Sequence, residues 1–324
     1  MTLELLKINN LKTYFSISSG TVRAVDDVSL TLDYGESLGL VGESGCGKTT
    51  TALSITQLLP AEGGIVAGDI LLEGKNIVRL DDSEIKKVRW KEVSMIFQGA
   101  MNALNPVMKI GDQIAEAIIL HEDLSYKDAI MRVEELFKLV ELEPKRISNY
   151  PHEFSGGMKQ RAMIAMALAC NPKLVIGDEP TTALDVMVQA QILNLLDRLR
   201  KELNMGIILI THDLSILGET CDKIAVMYAG KIVETGYVED IYNNNMHPYT
   251  YKLLSSFPNI HKERVMPDAI EGIPPDLINP PSGCRFHPRC PYAKDICGKE
   301  EPIMSLANEG HYYACHFGGV HNEK

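Results

Sequence analysis

Long apolar segments are missing from this chain of 324 residues. No stretch approaches about eighteen consecutive uncharged apolar residues, so we expect no segment to cross a membrane. The first residues, MTLELLKINNLK, also lack the basic start and apolar run of a signal peptide. Both absences favour a cytoplasmic protein that could dock on a membrane partner.

Positive charge is scarce as well. The 32 Lys and Arg residues stand against 43 Asp and Glu residues, which gives a net charge of −11. A nucleic-acid surface requires a positive field, so this balance argues against binding to DNA or RNA. The composition is otherwise that of a soluble protein, and the length allows one large domain and a smaller one.

Cysteine is sparse over most of the chain and crowded at its end. Cys46, Cys170 and Cys221 are scattered through the first 240 residues. The other four cysteines are Cys284, Cys290, Cys297 and Cys315. In a reducing compartment such crowding suggests a metal site rather than disulfides.

Residues 42–50, GESGCGKTT, fit the pattern G-x-x-x-x-G-K-[ST] in full. Residues 37–41 predict a buried strand and residues 50–59 a helix, so the glycine-rich turn joins strand to helix. Its unpaired N–H groups and the helix dipole favour a polyphosphate. Lys48 would reach the β and γ phosphates, and Thr49 would offer its hydroxyl to Mg²⁺. The alternative to a phosphate-binding loop is a chance glycine-rich turn. The residues expected at the nucleotide are Gly42, Ser44, Gly45, Cys46, Gly47, Lys48, Thr49 and Thr50.

Two further predicted strands end in polar residues. Residues 174–179 (LVIGDE) form an apolar run that ends in Asp178 and Glu179. Burying such acids needs a reason, which Mg²⁺ gives for Asp178 and an activated water for Glu179. Residues 206–211 (GIILIT) precede His212, which is either structural or part of this group. Strands that alternate with helices predict an α/β sheet with its ligand at the carboxyl edge.

The remaining segments add candidates of lower specificity. Residues 1–35 predict antiparallel strands, in which Tyr14 or Phe15 either fills the core or stacks on a nucleotide base. Residues 223–236 predict a hairpin that closes the domain.

A helical segment separates the two halves of the predicted sheet. Residues 93–98 predict a strand ending in Gln98, and residues 110–143 show helical periodicity. Ser155-Gly156-Gly157 stand at the entry of a predicted helix over residues 158–169. They are either a helix cap with flexible glycines or a second anion site.

The combined order of these motifs resembles the nucleotide-binding domain of ABC ATPases over about residues 3–240. The resemblance implies an α/β, P-loop NTPase fold with a RecA-like core, an antiparallel β subdomain and a helical subdomain, followed by a small Cys-rich C-terminal region. We expect the nucleotide-binding domain at residues 1–243, with its helical part at about 100–170. Two departures, Met158 in place of the usual signature glutamine and Gly177 before the first acid, remove no catalytic group.

The resemblance also implies roles for the residues that bind ATP and Mg²⁺. Lys48 and Thr49 correspond to the Walker A lysine and threonine, and Asp178 to the Walker B acid. Gln98 corresponds to the Q-loop residue, which contacts Mg²⁺ and senses the membrane subunits. Glu179 corresponds to the general base that positions the attacking water.

Other matching positions complete the implied site. His212 matches the switch histidine at the γ-phosphate, Asp185 the D-loop residue, and Phe15 the aromatic that stacks on adenine. Ser155-Gly156-Gly157 resemble the signature motif, which acts on ATP held by a partner subunit. Hydrolysis should therefore require a face-to-face dimer.

The tail, residues 244–324, resembles the C-terminal region of oligopeptide and dipeptide importer ATPases. Its motif residues are His247-Pro248-Tyr249, a proline-rich linker, and the four crowded cysteines in CRFHPRCPYAKDIC and HYYACHF. Four thiolates in so short a region could fold around a metal. Their spacings fit paired zinc knuckles poorly. The resemblance implies a 4Fe–4S cluster, with zinc as the alternative and unligated cysteines or disulfides as a third.

Several functions are consistent with these motifs. The leading hypothesis is the ATPase subunit of a di- or oligopeptide importer at the cytoplasmic face of the membrane. Its partners would be a second, homologous ATPase, two permeases and an extracytoplasmic peptide-binding protein. A nickel or oligosaccharide importer is the alternative, and a DNA-repair ATPase is disfavoured by the acidic composition and the absence of coiled coils. The tail could also act as a redox or iron sensor.

Cys46 supports two interpretations. At a helix N-terminus beside phosphate, the dipole would lower the pKa of its thiol and make a redox-sensitive ATPase conceivable. The alternative is that the position only requires a small residue.

Overall fold

The computed structural model of this protein describes residues 3–99, 103–182, 184–212, 214–256 and 270–322. Strands are numbered in chain order: β1 Glu4–Ile17, β2 Gly20–Asp33, β3 Ser37–Val41, β4 Gly63–Leu72, β5 Lys75–Asn76, β6 Val93–Ile96, β7 Leu174–Asp178, β8 Gly206–Ile210, β9 Lys223–Tyr228, β10 Lys231–Tyr237, β11 Ser305–Asn308 and β12 His311–Tyr313.

The α-helices are α1 Lys48–Thr56, α2 Asp82–Val88, α3 Ile110–Glu122, α4 Tyr126–Leu139, α5 Gly156–Ala167, α6 Val186–Leu203, α7 Leu214–Thr220, α8 Val238–Asn243 and α9 Pro248–Ser255. Short 3-10 helices lie at Ile77–Arg79, Pro144–Ser148, Pro151–Glu153, His287–Arg289, Asp295–Gly298 and Val320–Asn322. No helix within the described ranges is long and apolar enough to cross a membrane.

The chain forms two compact units. The first unit comprises the described parts of 1–5, 32–37 and 79–210, and the second comprises those of 6–31, 38–78 and 211–324.

In the first unit, β8, β7 and β6 form parallel pairs in that order. All residues of β7 and β8 are buried, as their continuous apolar sequence predicts. Because the three strands run the same way, their carboxyl ends meet at one edge. Gln98 and Glu179 both follow strands that end there.

The helices of the first unit include α2 to α6. The predicted helical period over residues 110–143 is divided into α3 and α4, because Asp123 adopts a left-handed conformation with φ 52° and Ser125 caps α4. The apolar face of α4 is buried as predicted, with Ala129, Val133 and Leu136 inaccessible to solvent.

The second unit contains the predicted N-terminal antiparallel strands, in the order β2-β1-β4-β5. It also contains β3, which pairs parallel with β9. The predicted hairpin is confirmed: β9 and β10 pair antiparallel across Ala229 and Gly230, with φ of 48° and 84°. Two positive φ angles are the geometry of a tight hairpin turn.

The described part of the tail extends the sheet that contains β9 and β10. Strand β12 pairs antiparallel with β10, with Glu234 opposite Tyr313, and β11 pairs with β12 at the edge. Glu234 is fully buried and accepts hydrogen bonds from the backbone N–H groups of Met246 and His247 and from His311 Nε2. The domain boundary expected between residues 243 and 244 stays a prediction.

Candidate functional site

The phosphate loop has the predicted strand–turn–helix form. Strand β3 ends at Val41 as expected, whereas α1 starts at Lys48 rather than at residue 50 and ends at Thr56. Gly47 precedes the helix with φ 109°, and a Cβ there would collide with the carbonyl oxygen of Ala24. The position therefore requires glycine, because both the backbone angle and the close approach exclude a side chain.

Lys48 lies inside this loop. Its Nζ donates to the carbonyl oxygens of Gly42, at 2.7 Å, and Glu43, at 3.1 Å, and the side chain is largely buried. Ser44, Gly45 and Thr49 are exposed and Thr50 is half-buried. The loop thus combines a buried cation with an accessible rim, an arrangement suited to an anionic ligand.

Cys46 corrects one expectation. The thiol is buried, and this burial raises its pKa although Lys48 opposes the shift. The lowered pKa expected from the helix dipole is therefore wrong, because desolvation outweighs it. Cys46 fills space under the loop, and its carbonyl oxygen accepts from Gly230 N–H at 2.9 Å.

The two candidate aromatic residues are consecutive on β1, so their side chains project to opposite faces of the sheet. The Tyr14 hydroxyl donates to Asp26 Oδ1 at 2.7 Å, and burial together with this bond raises the pKa of Tyr14 to about 12. Phe15 is half-buried opposite Gly63. Because the Tyr14 hydroxyl is engaged by Asp26, Phe15 remains the better candidate for stacking on a base.

The carboxylates of the first unit follow the predicted strand tip. Asp178 ends β7 with 3% of its surface exposed, and Glu179 comes next with φ 47°. One Glu179 oxygen, Oε2, accepts from Gln98 Nε2 at 2.8 Å and from Thr182 Oγ1 at 3.1 Å. The structure therefore brings together Gln98 and Glu179, which are 81 residues apart. Gln98 itself lies two residues beyond β6, which ends at Ile96 rather than at the glutamine.

Ser155 and Asp185 cap the two following helices of the first unit. Ser155 Oγ accepts from Met158 N–H at 3.4 Å at the start of α5, which includes Gly156 and Gly157. Asp185 Oδ1 accepts from Val188 N–H at 2.9 Å at the start of α6. A Cβ on Gly157 would lie 2.7 Å from the Val188 side chain, so the small residue lets α5 approach α6. The cap interpretation of Ser155 is confirmed, and its role toward a second anion stays a prediction.

His212 follows β8 and is exposed. It belongs to the second unit together with the phosphate loop, whereas Gln98, Asp178 and Glu179 belong to the first.

The four crowded cysteines line a single cavity together with His247 and Phe286. Burial raises the pKa of Cys284 to about 12 and that of Cys290 to about 11, and neighbouring thiols of the same group add to both shifts. Over the described residues, no group of three or more His, Cys, Asp or Glu side chains is arranged to hold a metal ion. A metal centre here therefore stays a prediction.

Sequence reasoning missed two arginines of the tail. Arg289 forms two hydrogen bonds with the carboxylate of Glu43 in the phosphate loop, at 2.6 and 3.0 Å. Arg285 forms a buried ion pair with Asp26 on β2. The partners are separated by 246 and 259 residues, so no local pattern could reveal them.

A glycine loop that holds a lysine at a helix start, and a parallel sheet that ends in adjacent carboxylates, are the features of a P-loop NTPase. Comparison with known families agrees. The "ABC transporter" family matches residues 25–182, and the "Oligopeptide/dipeptide transporter, C-terminal region" family matches residues 233–297.

Curated relatives match almost the whole chain. The oligopeptide transport ATP-binding protein OppD of Bacillus subtilis is 48% identical over 315 residues, covering 95% of this chain and 87% of the relative. OppD of Salmonella typhimurium is 46% identical, covering 96% and 93%, and the dipeptide transport ATP-binding protein DppD of B. subtilis is 44% identical, covering 96% and 94%. The chain belongs to the oligopeptide/dipeptide family of ABC transporter ATP-binding proteins.

Solved structures support the same fold. The dimeric structure of MJ0796, a bacterial ABC transporter cassette, is 27% identical and superposes with a TM-score of 0.65, covering 72% of this chain and 99% of that one. CbiO1 of Clostridium perfringens, part of the ABC transporter complex cbiONQ, is 28% identical with a TM-score of 0.65, covering 74% and 91%.

Proposed function

We propose that this protein is the ATP-hydrolysing subunit of a membrane importer for di- and oligopeptides. The hydrogen bond between Gln98 and Glu179 carries the proposal for the reaction, because it joins an amide and a carboxylate at the tips of two parallel strands. The peptide substrate is supported by the names of the relatives, which share 44–48% of their residues with this chain.

In the proposed reaction the protein positions groups and stabilises charge, as phosphoryl transfer requires. Lys48, which the carbonyl oxygens of Gly42 and Glu43 hold in the loop, would bind the β and γ phosphates. Glu179 would accept a proton from the attacking water, and hydrogen bonds from Gln98 and Thr182 fix the direction of its carboxylate. His212 contacts the γ-phosphate.

Magnesium fits the oxygen donors of this set. The exposed hydroxyl of Thr49, the buried carboxylate of Asp178 and the amide oxygen of Gln98 are ligands that Mg²⁺ accepts. When bound, Mg²⁺ neutralises charge on the phosphate oxygens. Phe15 would contact the adenine, whereas Tyr14 points to the other face of β1 and stays bound to Asp26.

The site is completed by a second ATPase subunit. Ser155, Gly156 and Gly157 would contact ATP held by the partner, and Asp185 would lie at the same dimer contact. The partner is a homologous ATPase, either a different chain or a second copy. Two permeases and an extracytoplasmic peptide-binding protein complete the importer, with this subunit bound peripherally at the cytoplasmic face.

Uptake measurements test the substrate. Deletion of this gene should abolish uptake of a labelled tripeptide and leave uptake of nickel and of a labelled oligosaccharide unchanged, and the wild-type gene should restore the loss. If deletion instead abolished only nickel uptake or only oligosaccharide uptake, the peptide assignment would be wrong and that compound would be the substrate. Purified complex that did not hydrolyse ATP would contradict the ATPase role itself.

The tail would hold a 4Fe–4S cluster through Cys284, Cys290, Cys297 and Cys315. Two observations support this proposal. The four thiols line one cavity, and the buried Nε2 of His247, which lines it too, has no hydrogen-bond partner among the described residues. Because His247 Nδ1 accepts from Tyr249 N–H at 3.0 Å, Nε2 carries the proton and can donate to sulfur.

Metal analysis decides between the alternatives for the tail. Anaerobically purified protein should contain iron and acid-labile sulfide in nearly equal amounts and absorb in the visible blue. Variants with serine at Cys290 and Cys297 should lose both signals. Zinc without sulfide, or no metal in anaerobic protein, would contradict the cluster.

A further inference from the structure

Glu43, the second residue of the phosphate loop, is fixed at three points. Its carboxylate is bound by both terminal nitrogens of Arg289, its N–H donates to the Tyr249 hydroxyl at 2.9 Å, and its carbonyl accepts from Lys48 Nζ at 3.1 Å. Two of these three contacts come from the tail. The third contact is the lysine that would bind the phosphates.

Arg289 is itself held rigidly. Its side chain is only 5% exposed, and that of Glu43 is 25% exposed. The guanidinium donates to the carbonyl oxygens of Ile270, Glu271 and Gly272 at 2.9 to 3.3 Å. A planar donor that is immobilised in this way holds a carboxylate in one orientation, which a lysine cannot reproduce.

Tyr249 is also immobilised by the tail. It is fully buried, and its ring packs on Tyr228 and Phe286 with centroids 4.6 and 5.4 Å away. Phe286 also lines the cavity of the four cysteines, and Arg289 precedes Cys290 directly. The groups that hold Glu43 are thus continuous with the walls of that cavity.

A carboxylate in a loop that binds a polyphosphate is unfavourable unless its charge is neutralised. Arg289 supplies the opposite charge at hydrogen-bond distance and directs the carboxylate away from Lys48 Nζ, which contacts only the main chain of Glu43. The ion pair therefore reduces repulsion of the nucleotide and fixes the carbonyl that orients the lysine.

We propose that the tail sets the ATP affinity of the phosphate loop, with Arg289 and Tyr249 as positioning residues that act through Glu43 on Lys48. The inference rests on the proposed binding of ATP by this loop. It gives the C-terminal region a task within the ATPase site.

A double-mutant cycle tests the proposal in the full-length protein. Affinity is measured by equilibrium binding of the non-hydrolysable analogue AMP-PNP to wild type, Arg289→Met, Glu43→Gln and the double variant. Arg289→Met should bind the analogue roughly tenfold more weakly, because an unpaired carboxylate remains near the phosphates. In the Glu43→Gln background, the same substitution should change the affinity by less than about twofold.

Arg285→Met is the matched control. Arg285 is another buried arginine of the tail, but its partners are Asp26 and the carbonyl oxygen of Ala229, outside the phosphate loop. This variant should lose thermal stability and keep its affinity for the analogue. Equal weakening by Arg289→Met in both Glu43 backgrounds, or equal weakening in the Arg285 control, would overturn the proposal.

Tyr249→Phe keeps the aromatic packing and removes only the hydroxyl that accepts from Glu43. It should weaken analogue binding several-fold even if Arg289→Met fails to fold, and an unchanged affinity would also overturn the proposal. Failure of wild type to bind the analogue would instead contradict the proposed ATP site, so the two failures are distinguishable.

Discussion

Glu179 adopts a backbone conformation that few glutamates adopt. Its φ of 47° lies in the left-handed region, which costs about 1–3 kcal/mol for a residue with a side chain. Its N–H donates to Ile210 in the neighbouring strand, and Gln98 and Thr182 hold its side chain. The surrounding contacts therefore impose an orientation that the isolated residue would avoid, as is common where a side chain performs chemistry.

Glu179→Gln should retain ATP binding and lose turnover. The amide keeps the shape and a hydrogen-bonding oxygen but cannot accept the proton of the attacking water, so kcat should fall about 10²–10⁴-fold. Steady-state ATPase assays together with nucleotide binding check this. Glu202→Gln, at an exposed glutamate within α6, is the control and should behave like wild type. Hydrolysis by Glu179→Gln near the wild-type rate would remove Glu179 from the role of base.

Cys46 should resist alkylation as pH rises. Burial raises the pKa of its thiol, so the reactive thiolate stays scarce through the pH range in which an ordinary cysteine ionises. Iodoacetamide labelling of folded protein at pH 7 and pH 9, followed by peptide mass spectrometry, should find Cys46 largely unmodified at both. The half-buried Cys221 serves as the internal comparison. Rapid labelling of Cys46 in folded protein would revive the redox hypothesis.

At the scale of elements, local sequence patterns were sufficient to predict those elements whose structure depends on residues close together in the chain. The phosphate loop, the strand that ends in Asp178 and the hairpin at Ala229 were all predictable, because glycine spacing and apolar runs determine them directly. Helix limits were less predictable: α1 begins at Lys48 because left-handed Gly47 serves as its cap. The ion pair of Arg289 with Glu43 could not be predicted from a local sequence pattern, because the two residues are 246 positions apart and meet only in the folded chain.

Ser155 at the start of α5 has two proposed roles, which a matched pair of substitutions can separate. Ser155→Ala removes a helix cap, which costs about 1 kcal/mol, and also removes the hydroxyl proposed to contact ATP on the partner. Ser125→Ala removes the equivalent cap of α4, where Oγ accepts from Asp128 N–H at 3.3 Å. Both variants should lose similar stability in thermal unfolding, while only Ser155→Ala should lose ATPase activity. Equal ATPase activity in the two variants would show that Ser155 acts only as a helix cap.

At the scale of the whole molecule, each compact unit contains part of the machinery. The second unit carries the phosphate loop, His212 and the tail, and the first carries Gln98, both carboxylates and the capped starts of α5 and α6. The sequence order of the motifs indicated the family. It could not indicate that the C-terminal region holds the phosphate loop, since that contact joins the two ends of the second unit.

Dimerisation should depend on ATP, on the phosphate loop that binds it and on the Ser155-Gly156-Gly157 motif of the partner subunit. In Glu179→Gln protein the nucleotide is bound but not hydrolysed, so the contact through Ser155 persists and the dimer should accumulate. Light scattering should show a doubled mass on addition of ATP, either for this chain alone or with the second ATPase co-expressed.

The double variant Glu179→Gln/Ser155→Ala still binds ATP through Lys48 but lacks the hydroxyl that closes the partner's site, and it should stay monomeric. An ATP-dependent dimer of equal stability in the double variant would show that subunits associate without the signature serine. A Glu179→Gln protein that stays monomeric in both settings would contradict the shared site.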